Sequence, residues 1–261
     1  MLRFLELVKR SFKILTAAVL LSAVAAAVTY SVVTHNSVPY RHQITDETNV
    51  SQHYSVSYRK AIKKSRQSTV QIVSILPEQG MISTSSGTYF ESIAGYFVVG
   101  VAHGILSGCD MVKIVVNGTL HDCKKIIAID QSVDYSIIQV EEIPSRIPIQ
   151  IPRDLPNNKQ WIKSFSMLNK VVYTGYPNNI GPMTIQGHVA GFSRSNFAYI
   201  VSYAWQGSSG SGVFDQNGKY IGYVVAIDVG QTEMGVQILE NVVLVMPAYN
   251  IDWLEVFTQA E

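Results

Sequence analysis

A serine set among glycines is the residue pattern in this sequence with the clearest chemical meaning. Ser209 lies in the run QGSSGSG at residues 206–212. Glycine permits backbone angles that aim successive N–H groups into one concavity, where they can hold the negative oxygen of a tetrahedral intermediate. We expect the N–H groups of Gly207 and Ser209 to be these donors. Ser211 is the rival nucleophile, but no glycine stands two positions before it.

Two further segments carry groups that could serve such a serine. His103 follows the apolar run GYFVVGVA at residues 95–102, and Asp134 directly precedes the β-rich run 135–141. Taken singly, the histidine is an ordinary polar loop residue and the aspartate an ordinary turn acid. Taken singly, the glycine-rich run could also be a flexible loop, although flexible linkers are not normally placed between two marked strands such as 198–204 and 220–228.

The elements that must position these residues are short β-rich runs separated by turn residues, a pattern typical of an all-β barrel or sandwich. Asn117-Gly118 and Asn217-Gly218 are strong tight-turn signals. We predict two six-stranded antiparallel barrels, at about residues 66–146 and 168–250, with the crossing between them at 148–170. The predicted strands are 69–75, 87–92, 95–101, 111–117, 124–130, 135–141, 170–176, 183–192, 198–204, 212–216, 220–228 and 242–247.

The three segments, in this order, resemble the His, Asp and Gly-x-Ser-Gly motifs of chymotrypsin-like (trypsin-like) serine proteases. Their spacing is most similar to that of the compact bacterial high-temperature-requirement peptidases. The run SGTY at residues 86–89 resembles the first hairpin of those proteins, and NGKYIG at 217–222 resembles their turn and strand after the nucleophile. The resemblance covers about residues 56–257. Since the sequence given ends at residue 261, we expect no peptide-binding PDZ domain.

The resemblance implies a serine endopeptidase that acts on polypeptide substrates. His103 would take the proton of the Ser209 hydroxyl, and Asp134 would hold the other imidazole nitrogen in the required tautomer. Family geometry would place Tyr203 at the base of the specificity pocket and Val224 to Ala226 along its wall. With no acid at that base, we expect apolar or small side chains to be preferred there, although Asp228 lies nearby in the sequence.

The N-terminus carries a separate signal. Residues 14–33 contain no charged residue and would span about 30 Å as a helix, enough to cross a bilayer. The basic residues 1–13 should stay in the cytoplasm by the positive-inside rule. The segment is either an uncleaved transmembrane signal anchor, which its full length favours, or a signal peptide cut near residues 23–25. A buried core helix is disfavoured, because core helices usually show a polar face.

The topology of the rest of the chain follows from that signal. We expect a tether at 34–53, then a protease domain at 54–261 that begins with a short, solvated basic helix at 54–66. The domain should lie on the non-cytoplasmic side of the membrane, or be secreted if the segment is cleaved. Its oligomeric state is left open.

The composition of the chain limits which partners and cofactors we expect. The formal net charge of +1 leaves no dense cationic face, so we expect no nucleic-acid partner. The sequence has no Cys/His cluster typical of a metal site, and the expected chemistry requires no cofactor. Cys109 and Cys123 could form a disulfide in the expected compartment or remain two separate buried thiols.

Two other function classes remain open at this stage. A trypsin-like module can lose activity and act as a membrane-anchored scaffold that binds protein segments by strand addition. The motif match could also be coincidental, in a periplasmic β-rich binding protein. The presence of all three reactive side chains favours the protease.

Overall fold

The computed structural model describes residues 50–193, 197–232 and 235–254, which belong to one compact unit of the chain. The predicted membrane segment at 14–33 lies outside these residues, as do the basic residues before it. Within the described ranges, no helix is long and apolar enough to cross a membrane.

The first barrel closes around six antiparallel strands. The strands are β1 (Thr69–Leu76), β2 (Met81–Ser92), β3 (Gly95–Gly100), β4 (Val112–Val116), β5 (Thr119–Asp130) and β6 (Tyr135–Val140). Neighbours follow the order β1-β4-β5-β6-β3-β2, and the pairing of β2 with β1 completes the ring. Alternate residues of these strands point inward, so that Ile72, Val98 and Ile138 are fully buried in one apolar cluster.

The second barrel also closes around six antiparallel strands. They are β8 (Lys170–Gly175), β9 (Met183–Phe192), β10 (Ala198–Val201), β11 (Gly212–Asp215), β12 (Tyr220–Thr232) and β13 (Gly235–Pro247), in the order β10-β13-β12-β11-β8-β9. Val171, Ile200 and Val213 lie in its core. The two-barrel, all-β architecture predicted from the alternating apolar pattern is therefore confirmed, with twelve strands in two closed rings.

Several parts of the fold were not predicted. A two-residue strand, β7 (Ile149–Gln150), pairs in parallel with β2. The β12–β13 hairpin continues to the pairing of Thr232 with Gly235, well past the predicted strand ends. Residues 229–241 mix glycine and polar residues with apolar ones, so they show no clear alternation. The described part of the chain also contains the helices described next and short 3-10 turns at Pro77–Gln79, Cys109–Met111, Pro177–Asn179 and Ala248–Asn250.

Helix α1 (Val56–Ser68) joins the two barrels, where we expected a solvated helix. Its buried residues are spaced as on one helical face: Tyr58, Ala61, Ile62, Ser65 and Ser68. The Tyr58 hydroxyl donates to the carbonyl of Val171 in β8 (3.1 Å). The spacing of these residues is visible in the sequence, but the basic residues around them favour the prediction of a solvated helix.

Helix α2 (Asn158–Ser164) lies within the crossing between the barrels, a segment where the sequence shows few strand signals and where we predicted no helix. Asn157 caps it: the Asn157 side chain accepts from the N–H of Gln160 at 3.0 Å, and the Gln160 side chain accepts from the N–H of Asn157 at 3.1 Å. This reciprocal capping box is a local signal for a helix start that could have been read from the sequence.

Candidate active site

His103 and Asp134 are brought together at the rim of the first barrel. His103 follows the end of β3, and Asp134 ends the turn between β5 and β6. The Nδ1 atom of His103 lies 2.7 Å from Oδ2 of Asp134, and the backbone N–H of His103 donates to Oδ1 of the same carboxylate at 2.9 Å. A carboxylate can only accept, so in the neutral imidazole this contact places the proton on Nδ1 and leaves Nε2 as an acceptor. That is the tautomer a general base requires.

The turn that carries Asp134 is fixed from both barrels. Asp134 has a φ of +57°, a left-handed conformation that aspartate tolerates better than most residues. Hydrogen bonds from the Ser132 side chain and backbone to Asp130 tighten the turn and lower the pKa of the Asp130 carboxyl. Across the barrel interface, the Tyr223 hydroxyl donates to the carbonyl of Val133 at 2.7 Å. Burial raises the pKa of Tyr223, which keeps this donor protonated.

Ser209 belongs to the loop that enters β11 of the second barrel, and the loop's upstream peptide unit is anchored. The carbonyl of Gln206 accepts from the backbone N–H of Asn178 at 2.7 Å. In a trans peptide unit the C=O and N–H point in opposite directions, so this bond directs the N–H of Gly207 away from Asn178. Gly207 has a φ of +91°, and a Cβ there would lie 2.5 Å from the carbonyl oxygen of Tyr176. Only glycine fits this position.

The downstream peptide unit is anchored in the same way. The carbonyl of Ser208 accepts from both the N–H and the hydroxyl of Ser211, at 3.0 and 2.6 Å. The N–H of Ser209 therefore points to the opposite side. Ser211, the rival nucleophile, is fully buried and its hydroxyl is occupied by this bond.

The N–H groups flanking these donors are already occupied. Ser208 donates to the carbonyl of Trp205 at 2.9 Å, and Gly210 donates to the carbonyl of Val224 at 2.7 Å. Within the described part of the chain, the N–H groups of residues 207 and 209 have no acceptor. The two donors expected from the glycine spacing are thus the ones that the fold leaves available to an oxygen of a bound molecule.

The hydroxyl of Ser209 donates to the carbonyl of Val225 at 3.0 Å. No hydrogen bond joins it to His103 in the described residues, although both side chains line the same cavity. The hydroxyl must give up the Val225 carbonyl before it can donate to Nε2 of the histidine. Such bonds are often incomplete in an unliganded site and form when a substrate is present.

The cavity beside Ser209 has a volume of about 330 Å³. Val224 and Ala226, both expected in its wall, line it, as do Ala204 and Trp205. Among the lining residues that the structure describes, none carries an acidic or a lysine or arginine side chain. The side chain of Asp228 lies outside the described part. A larger cavity of about 570 Å³ lies between α2 and the β11–β12 turn, and none of the three reactive side chains lines it.

Tyr203 does not lie at the base of that cavity, and this expectation from the sequence is corrected. Its side chain is 58% exposed and stacks on Trp205, with ring centroids 6.2 Å apart. Ala204, next in the chain, is buried and lines the cavity in its place. Successive side chains of an extended segment point to opposite sides, so a shift of one position in the assumed alignment exchanges the inward and outward residues.

Cys109 and Cys123 form a disulfide, with Cα atoms 5.3 Å apart. The bridge joins the 3-10 turn that follows the His103 loop to β5 of the same barrel. The sequence had left a disulfide and two separate thiols open, because it does not give the separation of the two Cα atoms.

Sequence reasoning did not identify two residues that shape this site, Ser86 and Asn178. In the sequence, Ser86 stands out only as part of a motif of the first hairpin. Asn178 acts through its backbone N–H, so its residue type carries little signal. Their partners are distant in the sequence, and contacts of this kind emerge only once the two barrels are packed together.

Comparison with known proteins agrees with this geometry. The family model described as "Trypsin-like peptidase domain" matches residues 85–222, a span that contains all three reactive side chains. No curated protein matches the chain.

Two solved structures are similar in fold. The active form of the Rv3671c protease from M. tuberculosis is 19% identical with a TM-score of 0.55, over 76% of this chain and 82% of that one. The serine endoprotease from Yersinia pestis is 19% identical with a TM-score of 0.55, over 75% of this chain and 64% of that one.

Proposed function

The chain belongs to the trypsin-like peptidase domain family, and from this premise we propose that it is a serine endopeptidase acting through an acyl-enzyme on Ser209. One observation carries the proposal. The loop of Ser209 holds two backbone N–H groups that have no acceptor among the described residues, and this serine shares a cavity with a histidine whose Nδ1 lies 2.7 Å from a carboxylate. These are the parts that acyl transfer needs: a nucleophile, an oriented base and donors for an oxyanion.

The reaction would proceed in two half-steps. As the Ser209 oxygen attacks the scissile carbonyl carbon, Nε2 of His103 takes the hydroxyl proton and the carbonyl oxygen becomes an anion held by the N–H groups of Gly207 and Ser209. The C–N bond then breaks, and His103 returns the proton to the leaving amine. A water molecule, deprotonated by the same histidine, then attacks the ester carbon. The bond between that carbon and the Ser209 oxygen breaks, the acid leaves, and His103 returns the proton to Ser209. Asp134 stabilises the imidazolium during both half-steps.

The cavity supports a preference for apolar or small side chains on the acyl side of the scissile bond. Its wall is formed by Ala204, Val224 and Ala226, and burial of an apolar side chain there gains free energy that burial of an unpaired charge would not. We expect a peptide-library cleavage profile dominated by aliphatic and small residues at that position. A profile dominated by arginine or lysine would contradict the assignment and point to Asp228.

We further propose that the catalytic domain lies on the non-cytoplasmic side of a membrane. The uncharged run at residues 14–33 and the basic residues before it support this placement. Whether the segment is retained as an anchor or removed decides between a tethered and a secreted enzyme. N-terminal sequencing of the protein recovered from membranes and from the medium distinguishes the two.

The nucleophile is tested with a fluorophosphonate probe, which reacts with activated serines. We expect the full-length wild-type protein in detergent to be labelled and Ser209→Ala to be unlabelled. Ser211→Ala should remain labelled, since the Ser211 hydroxyl only donates a hydrogen bond to the Ser208 carbonyl. Labelling that persists in Ser209→Ala would refute the assignment. No labelling of the wild type, even with peptide substrate added, would instead favour a silent, protein-binding module.

A further inference from the structure

Ser86 of β2 is a fully buried polar residue that reaches the nucleophile loop from the other barrel. Its hydroxyl donates to the carbonyl of Gly207 at 2.7 Å and accepts from the N–H of Tyr176 at 2.8 Å. Its backbone N–H donates to the carbonyl of Ser209 at 2.8 Å. One residue of the first barrel thus makes three hydrogen bonds to the second barrel, two of them to the loop that carries the nucleophile.

The hydrogen bond from the Ser86 hydroxyl restrains Gly207, a residue whose backbone has the greatest conformational freedom. Glycine adopts left- and right-handed conformations with similar ease, so the φ of +91° at Gly207 must be imposed from outside. On the N-terminal side of Gly207, the Asn178 N–H donates to the carbonyl of Gln206. On its C-terminal side, the Ser86 hydroxyl donates to the carbonyl of Gly207 itself. With both flanking peptide units held, the N–H of Gly207 keeps a single direction.

Ser86 is packed closely against two glycines of the second barrel. A Cβ at Gly210 would lie 2.0 Å from the Ser86 carbonyl oxygen, and a Cβ at Gly175 would lie 2.7 Å from the Ser86 hydroxyl. The strand and the loop are therefore in direct backbone contact. A serine hydroxyl, which both donates and accepts, satisfies the two buried groups that face each other across this contact.

We propose that Ser86 is a positioning residue for the reaction, whose hydroxyl holds the oxyanion donor at Gly207 in its catalytic direction. This inference rests on the proposed function, because an oxyanion donor has a role only if Ser209 performs acyl transfer. Ser86 does not touch the reacting atoms. It acts through the peptide unit that follows Gly207.

Ser85 provides a matched control in the same strand. Its hydroxyl is also buried, but it has no hydrogen-bond partner among the described residues. Ser85→Ala and Ser86→Ala thus remove the same atom from adjacent buried positions. Only the second removal leaves a carbonyl and an N–H group without their partner, and only the second changes the restraint on Gly207.

The test compares kcat, KM and the affinity for a peptide aldehyde, whose adduct with the serine carries a tetrahedral oxyanion. In full-length Ser86→Ala we expect kcat to fall about 10- to 100-fold and aldehyde binding to weaken in parallel, less than full loss of a donor would cause, because the N–H is misdirected and not removed. KM should change less than about threefold, since ground-state binding is preserved. Ser85→Ala should stay within about twofold of wild type in all three quantities.

Circular dichroism establishes that each variant is folded at the assay temperature. Should Ser86→Ala not fold, Ser86→Cys replaces it, because a thiol is a weak donor of similar shape and should lower kcat in the same way. Equal effects of Ser85→Ala and Ser86→Ala, or a change in KM alone, would overturn the inference while leaving the proposed function intact. A wild type that neither turns over peptide nor reacts with the fluorophosphonate would overturn both.

Discussion

Asp134 illustrates how one residue can serve both structure and chemistry. Its two oxygens accept separately from the backbone and from the ring of His103, at 2.9 and 2.7 Å. His103 is therefore held at two points, its backbone N–H and its ring, and its position follows the turn between β5 and β6. The left-handed conformation of Asp134 limits the residues that can replace it, and asparagine is the replacement that shares its tolerance of that conformation.

Asp134→Asn should therefore separate the two roles. The amide can keep the bond from the His103 backbone, but facing the ring with its NH₂ group it favours the tautomer with the proton on Nε2, which cannot act as a base. We expect kcat to fall by about 10⁴ with a nearly unchanged melting temperature. Steady-state kinetics and thermal unfolding measure the two quantities. A loss of less than tenfold would show that the pair does not orient the base.

At the scale of single residues, the sequence predicted the site residues whose chemistry restricts the residue type. It did not predict which side chains the folded backbone directs into the site. His103, Asp134 and Ser209 were each singled out by their flanking patterns, and the fold places all three around one site. Tyr203 was misplaced, because an offset of one position along an extended segment reverses which side chain faces inward. The contacts of Ser86 depend on a partner more than a hundred residues away.

Among the elements, the loop that carries His103 is anchored independently of the disulfide that follows it. The N–H of Leu106 donates to the Ser74 hydroxyl at 2.8 Å, and the Ser107 hydroxyl donates to the carbonyl of Ile75 at 2.7 Å. Both partners lie in β1. The bridge between Cys109 and Cys123 lies further along the chain and closes a loop with a sequence separation of 14.

Removing the bridge should therefore cost stability more than activity. Closure of a loop of this length stabilises a protein by about 3 kcal/mol in the chain-entropy treatment. We expect the Cys109→Ser/Cys123→Ser double variant to lose about that free energy of unfolding in urea, with kcat/KM within about twofold of wild type well below its melting temperature. Adding reductant should lower the stability of the wild type and leave the double variant unchanged. A large loss of activity would show that the bridge positions His103.

The strands were predictable because period-two alternation and turn residues mark a barrel strand directly. The elements that were missed lack that mark. Strand β7 is two residues long, helix α2 is short, and the far part of the β12–β13 hairpin has a mixed pattern. Helix α1 was placed within two residues of its ends, yet its buried face against β8 was not foreseen, since that face is defined only by the strands it covers.

For the molecule as a whole, Asp154 connects α1, the crossing and the second barrel. Its carboxylate lies 3.1 Å from Nζ of Lys64 and accepts from the N–H of Gln150 at 3.2 Å, and its carbonyl accepts from the N–H of Tyr220 at 3.1 Å. Burial alone would raise the pKa of Asp154. The Gln150 N–H and the Lys64 ammonium outweigh burial and hold this pKa below its ordinary value of 3.8.

A carboxyl whose pKa is lowered by folding stabilises the protein above its ordinary pKa, and this contribution is lost as the pH falls through the folded value. We expect Asp154→Asn to lower the free energy of unfolding by about 1–2 kcal/mol near neutral pH. The difference from wild type should shrink once the pH falls below 3.8. Urea unfolding across the pH range measures it.

Asp122→Asn is the matched control for that experiment. Asp122 pairs with Lys113 at 2.7 Å, but its side chain is 81% exposed, so solvent screens the interaction. We expect no measurable change in the free energy of unfolding for this variant. An equal effect of the two substitutions would show that Asp154 contributes through net charge and not through its contacts with α1, the crossing and the second barrel.

The division of the site between the barrels has a consequence for partly opened molecules. His103 and Asp134 belong to the first barrel and Ser209 to the second, so separation of the barrels takes the base from the nucleophile while each sheet stays closed. Such sub-global openings require less free energy than complete unfolding. We therefore expect peptidase activity to be lost at a lower urea concentration than the one at which the circular dichroism changes. An opened copy would be exposed to cleavage by intact copies, but we expect that it could not cut other molecules itself.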